Sequence, residues 1–135
     1  MVFEMTVQVR VTDMKRGIFW YETLLGKPPE CAAHEDVAEW EILPGCWLQV
    51  IKGEPAKGSG PIRLGVTDIE AERQRVESQL QVEPFDIHTR EELSVKWGTF
   101  TDPWGNRLGF FQYLNQADQD ERIKAILANE SCTNG

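Results

Sequence analysis

The chain reads as an α+β fold made of two tandem βαβββ units followed by a C-terminal helix. Three observations predict it. Short segments alternate apolar and polar residues with period two, as half-buried strands do. A strand–Asp–helix pattern occurs twice: Val11-Thr12-Asp13-Met14 recurs as Val66-Thr67-Asp68-Ile69, 55 residues later. The late turns also repeat, with Gly45 matching Gly105 at an offset of 60. Repetition at fixed spacing is the mark of an internal duplication.

The elements follow in order. Residues 6–12 alternate Val7, Val9 and Val11 with polar neighbours, which predicts a strand. Asp13 offers an N-cap to a helix over 14–25, which is rich in apolar residues and stopped by Gly26, with Pro28-Pro29 beyond. Residues 36–43 and 46–51 read as strands around a Pro44-Gly45 turn. Residues 52–60 (KGEPAKGSG) form an internal linker. In the second unit, 61–67 is a strand and Asp68 caps a helix over 69–80 with Ile69, Val76 and Leu80 as its stripe. Residues 82–87, 95–101 and 107–113 are predicted strands, the last two joined by the Asp102-Pro103-Trp104-Gly105-Asn106 turn. A polar helix over 118–129 ends the chain, with Ile123, Ile126 and Leu127 on one side.

Composition bounds the function. The 135 residues make one domain, 1–135, with half-modules of about 5–52 and 60–114. Hydrophobic residues at 41% and charged residues at 27% are ordinary for a globular chain. Fourteen Lys and Arg against 22 Asp and Glu leave a charge of −8, which repels phosphate and argues against nucleic acid or an anionic membrane as partner. Three cysteines, Cys31, Cys46 and Cys132, are too few for a disulfide scaffold. The first residues carry neither a basic region nor a long apolar run, and no stretch reaches the roughly 20 residues of a membrane span. A cytoplasmic location is therefore expected.

The two repeated motifs carry a resemblance. Residues 11–26, V-T-D-M-K-R-G-I-F-W-Y-E-T-L-L-G, are similar to the strand–Asp–helix opening of the vicinal-oxygen-chelate superfamily. Residues 100–111, F-T-D-P-W-G-N-R-L-G-F-F, resemble its closing DPxGN hairpin. The superfamily includes glyoxalase I, extradiol dioxygenases, and the fosfomycin and bleomycin resistance proteins. The resemblance spans about residues 5–114 and implies two sheets forming an eight-stranded cup with a site on the concave face. It also implies four metal-ligand positions, occupied here by Thr6, Gln49, Pro61 and Gly109. Divalent metals take imidazole or carboxylate donors, and only Gln49 offers even a weak oxygen. No metal and no cofactor are expected.

Other chemistry is thinly supported. Cys31, His34 and Cys46 are a weak zinc pattern, since structural zinc takes four ligands. His34 and His88 fall in predicted loops, and no Cys–His pair has an orienting group nearby in sequence. The adjacent carboxylates Glu91 and Glu92 read as solvated surface, no phosphate-cradling glycine loop occurs, and no catalytic residue is assigned. Strand parity instead assigns a ligand-binding face: Gln8, Arg10, Trp47, Gln49, Arg63, Trp97, Arg107, Phe111 and Tyr113. Trp40 joins this set, unless Glu39 and Glu41, with which it alternates, take the inner face instead. Aromatic walls with a few polar anchors suit a flat organic ligand. The acidic side chains gather on predicted helices and the arginines in the predicted cup, which favours an aromatic ligand with anionic or carbonyl character.

The expected function is thus metal-free capture of an aromatic compound or antibiotic by a homodimer, as the resemblance to bleomycin resistance proteins implies. Two alternatives stand beside it: a glyoxalase-related lyase, isomerase or dioxygenase with a displaced metal, and a scaffold or regulatory partner with an unused cup.

Overall fold

The computed structural model describes residues 1–58, 60–90 and 92–134, with Ala33 and 129–134 described by backbone alone. Glu91 and the side chain of Cys132 lie outside the described residues. Strand β1 is Met5–Val11, and Asp13 then caps α1, Met14–Leu25, by accepting from Arg16 N at 3.1 Å. Gly26, with φ of 75°, ends α1 in the left-handed conformation that glycine adopts without strain. Strands β2 (Cys31–His34), β3 (Val37–Leu43) and β4 (Cys46–Lys52) complete the first unit. The second unit repeats the order: β5 (Ile62–Gly65), α2 (Ile69–Gln79), β6 (His88–Thr89), β7 (Val95–Thr101) and β8 (Arg107–Tyr113). Helix α3, Gln116–Asn134, closes the chain.

Each unit forms one four-stranded sheet. The orders are β1-β4-β3-β2 and β5-β8-β7-β6, and in each the first strand runs parallel to the last. The duplication expected from the sequence is therefore present strand for strand. Val9, Val11, Leu48 and Val50 of the first sheet and Phe100, Leu108 and Phe110 of the second face the helices and join one core with Trp20, Tyr21, Leu24, Ile69 and Val76. Burial of these side chains supplies the main folding drive, each worth about 1.5–3 kcal/mol.

Polar contacts tie the two units together. Tyr21 Oη donates to Asp102 Oδ2 at 2.6 Å, with both residues buried. Asp102 also accepts from Trp104 N, Asn106 N and Asn106 Nδ2. Asn106 Nδ2 reaches the Arg10 carbonyl at 2.9 Å. Arg75 on α2 donates to the Thr23 and Leu24 carbonyls at the open end of α1, where helix carbonyls have no partner of their own. The DPxGN turn is thus a joint between modules.

Three local expectations are corrected. Residues 82–87 are not a strand. Pro84 lacks a donor, and α2 side chains take the place of a ladder: Phe85 N donates to Glu77 Oε1, and its carbonyl accepts from Arg73. His34 and His88 lie in β2 and β6 rather than in loops. The last helix begins at Gln116 rather than 118 because the Asn115 side chain accepts from Ala117 N at 2.9 Å, an N-cap bond. Among the described residues, no helix is long and apolar enough to cross a membrane.

Candidate functional site

The inner faces of the two sheets follow from the pairing register. On the first sheet, Gln8 lies opposite Gln49, and Gln49 opposite Glu39. Their side chains form a directed chain, with Gln8 Nε2 donating to Gln49 Oε1 at 2.6 Å and Gln49 Nε2 to Glu39 Oε1 at 2.8 Å. Trp47 sits one step along the same face, half-buried, and its Nε1 is buried without a partner. On the second sheet, Trp97 lies opposite Phe111, and Arg63 and Thr99 both lie opposite Gly109. The Trp97 ring meets that of His88 at 5.5 Å, and Phe111 meets Tyr113 edge-on at 6.0 Å.

Trp40 is corrected. It lies opposite Leu48 on the core face, is 0% exposed and packs 6.4 Å from Tyr21, while its Nε1 donates to the Lys27 carbonyl at 2.9 Å. A buried indole needs such a partner, and the Lys27 carbonyl supplies it. Glu39 and Glu41 therefore take the inner face, as the alternative reading allowed.

The three inner arginines lie on β1, β5 and β8. Arg10 holds Asn106, the neighbour of Arg107, through its carbonyl; Arg63 faces Gly109, two positions further along β8. All three side chains are exposed, and none forms an ion pair among the described residues. Arg63 Nη2 approaches Thr99 Oγ1 at 3.4 Å. Glu39 and Glu41 are engaged elsewhere, by Gln49 and by Gly45 N. Among the described residues, the arginines of the cup therefore form no ion pair with the carboxylates that share its face.

The four positions that the superfamily uses for a metal do not fit one. Proline and glycine have no donor, and Thr6 and Gln49 lack the imidazole or carboxylate that divalent ions favour. Gly109 has no room for a side chain, since a Cβ there would stand 2.4 Å from the Gly98 carbonyl oxygen and 3.2 Å from Arg63 Cγ. The Arg63 stem crosses the place where a ligating carboxylate would begin. Among the described residues, no three His, Cys, Asp or Glu side chains come together. Cys31 and His34 are exposed, and His34 Nδ1 accepts from Asp36 N.

Beside Phe111 and Tyr113, parity reasoning leaves out one wall of the site. Helix α3 lies against β8, and a cavity of about 260 Å³ opens between them. Leu43 contributes from the first sheet, Gly65, Phe111 and Tyr113 from the second, and Gln119, Arg122, Ile123 and Ile126 from α3. The apolar side of this helix was visible in the sequence, but its packing partner was not.

Comparison with known proteins agrees with this architecture. No family model matches the chain, and no curated protein matches it by sequence. Solved structures do. A glyoxalase/bleomycin resistance protein from Catenulispora acidiphila DSM 44928 is 29% identical, with a TM-score of 0.66, covering 82% of this chain and 97% of its own. A glyoxalase-related enzyme from Clostridium phytofermentans is 22% identical (TM-score 0.66; 84% and 97% covered). A lactoylglutathione lyase from Agrobacterium tumefaciens is 14% identical (TM-score 0.64; 80% and 91% covered). The chain has the vicinal-oxygen-chelate fold of the glyoxalase and bleomycin resistance proteins.

Proposed function

We propose that this chain captures a small aromatic compound bearing an anionic or carbonyl group in the cup between its sheets, without a metal and without turnover. The observation that carries the reading is the set Arg10, Arg63 and Arg107, exposed on the same sheet faces as Trp47, Trp97 and Phe111 and, among the described residues, without an ion-pair partner. Arg binds carboxylate and carbonyl oxygens in fork geometry, and ring faces stack on flat ligands. The Catenulispora neighbour carries a resistance-protein name, which is consistent with sequestration. Fold alone does not fix function, so the site bears the weight of the argument. A cytoplasmic homodimer completes the proposal. Phe19 and Leu114 remain exposed and offer apolar surface to a second copy, which sedimentation tests directly.

Titration of aromatic acids and their amides against Trp fluorescence tests capture. The acids are expected to bind more tightly, and Arg63→Gln with Arg107→Gln to weaken them about tenfold or more, the loss of a charge-assisted hydrogen bond. No quenching and no thermal shift across a broad aromatic set would overturn the reading. The carboxylates Glu39 and Glu41 on the inner face favour one other reading, an enzyme with a displaced metal. Stoichiometric Ni, Zn, Mn or Fe in the purified protein, lost together with an activity on chelation, would establish that reading instead.

A further inference from the structure

Between α3 and β8 lies a half-open space of about 260 Å³ that the paired modules, which end with β8, would not enclose alone. Its floor is made of rings. Phe111 lies across Gly65, where a Cβ would stand 2.9 Å from Phe111 Cζ, so glycine at that position lets the ring rest on β5. Tyr113 meets Phe111 edge-on at 6.0 Å. Leu43, Val66, Ile123 and Ile126 supply apolar walls. Gln119 closes one side, but its Oε1 is sealed from solvent and is no contact for a ligand.

Arg122 and Thr67 bring polar groups to the same lining, and both residues are exposed. Among the described residues Arg122 forms no ion pair, even with Asp118 one turn earlier on α3. The arginines of the cup do not serve this space. Arg107 stands six positions before Tyr113 on β8, about 20 Å at the rise of a strand. Arg63 Nη2 is turned toward Thr99 on β7. An apolar recess with one unpaired guanidinium in its lining suits a molecule with a ring at one end and an anion at the other. Size sets a further limit. The space falls just below the roughly 300–1,000 Å³ of sites for drug-sized ligands, so a single substituted ring fits it.

We propose that the space beneath α3 is a second site, which takes a compact aromatic monocarboxylate with its ring against Phe111 and Tyr113 and its carboxylate on Arg122. The site goes beyond the capture reading and does not depend on it, since Arg10, Arg63 and Arg107 take no part. The ligand touches β8 on one side and α3 on the other, so occupancy ties the helix to the sheet.

Benzoate and benzamide test this at neutral pH, since they share shape and differ in charge. Titrations of the full-length protein, followed by NMR of backbone amides, report affinity and place together. Benzoate is expected to bind about fivefold more tightly, the upper range for a charge pair that solvent can reach, and to shift the resonances of Phe111, Tyr113, Ile123 and Ile126. It should also slow hydrogen exchange along α3. Arg122 is exposed, so its replacement leaves the core untouched. In Arg122→Gln the preference falls to about onefold while benzamide affinity holds, and Arg122→Lys keeps part of the preference. Arg63→Gln with Arg107→Gln leaves shifts and preference at this site unchanged. Equal affinity of the two probes for the unaltered protein would overturn the proposal, as would a preference that survives Arg122→Gln. Shifts confined to Gln8, Trp47 and Gln49 would overturn it too and leave the capture reading standing. Absence of any shift at millimolar probe would likewise overturn it.

Discussion

The joint between the modules makes a sharp prediction. Tyr21→Phe removes a single hydroxyl from a fully buried ring whose Oη lies 2.6 Å from Asp102 Oδ2. Asp102 is not orphaned by the change, because Asn106 Nδ2 still donates to the same oxygen and Trp104 N and Asn106 N to the other. The loss is therefore that of one bond to an acidic group, about 2 kcal/mol. At 135 residues that is a fall in melting temperature of about 8 °C. Asp102→Asn costs more, about 3–4 kcal/mol, since either orientation of the new amide points its NH2 at an N–H donor. The two changes share a bond, so the double variant should recover about 1–2 kcal/mol of the summed cost. Urea and thermal unfolding of the four proteins measure this. Additivity within about 0.5 kcal/mol would refute the joint.

Alkaline pH gives the same bond a second test. Burial first, and then the neighbouring Asp102, push the Tyr21 phenol far above its ordinary value of 10.0. A group with a raised folded-state pKa stabilises fully below its unfolded value, and that contribution is lost as pH rises. Stability should thus decline above pH 10 by up to about 1.4 kcal/mol per unit more in the unaltered protein than in Tyr21→Phe. Parallel curves between pH 10 and 11.5, roughly the accessible window, would mean that the phenol ionises as freely folded as unfolded.

Other consequences are as definite. Trp40→Ala should cost about 3–5 kcal/mol by chemical denaturation, as a core deletion, and leave aromatic-acid affinity within about twofold once folded; a selective loss of binding would return Trp40 to the inner face. Gly109→Ala should destabilise by about 1–3 kcal/mol, because its Cβ would stand 2.4 Å from the Gly98 oxygen, and a neutral result would show that the strands can part there. At acid pH, hydrogen bonds from Lys27 and Lys96 hold Glu30 and Glu70 below their ordinary value of 4.5. Their contribution is present above that value and lost as pH falls through the lowered one. The double variant Lys27→Gln/Lys96→Gln should therefore show a shallower decline in urea midpoint below pH 4.5, by a small amount because both carboxylates face solvent.

Much of the fold was legible because burial imposes its period on the residues. The alternation in β1, β4 and β8 and the caps at Asp13 and Asp68 fixed elements and faces together. Strand β2 was illegible for the opposite reason. Its Cys31, Ala32 and His34 are all exposed, and its register shifts against β3, so no alternation is required of it. Residues 82–87 mislead by being half right. Val82 is buried, and Phe85 and Ile87 pack on the core, but side chains of α2 satisfy the backbone. Trp40 was ambiguous because period two gives two faces and not which is inner; only its pairing with Leu48 decides. The wall made by Gln119, Ile123 and Ile126 depends on where α3 docks, and a helix stripe names no partner.

The residues by which this fold is most readily recognised are the ones that hold its two modules together. Asp102 and Asn106 point inward to Tyr21 and to the Arg10 carbonyl, and each is bound by several partners at once. Substitution there breaks a network in which the remaining groups stay buried, so few residues are tolerated. The inner sheet positions bear no such load. Thr6, Gln8, Arg63 and Arg107 are exposed and can change without disturbing the core. A duplicated scaffold can therefore exchange metal donors for arginines and aromatic rings while its joint holds. The faces that the core does not constrain are therefore the ones free to vary, and α3 adds such a face outside the two modules.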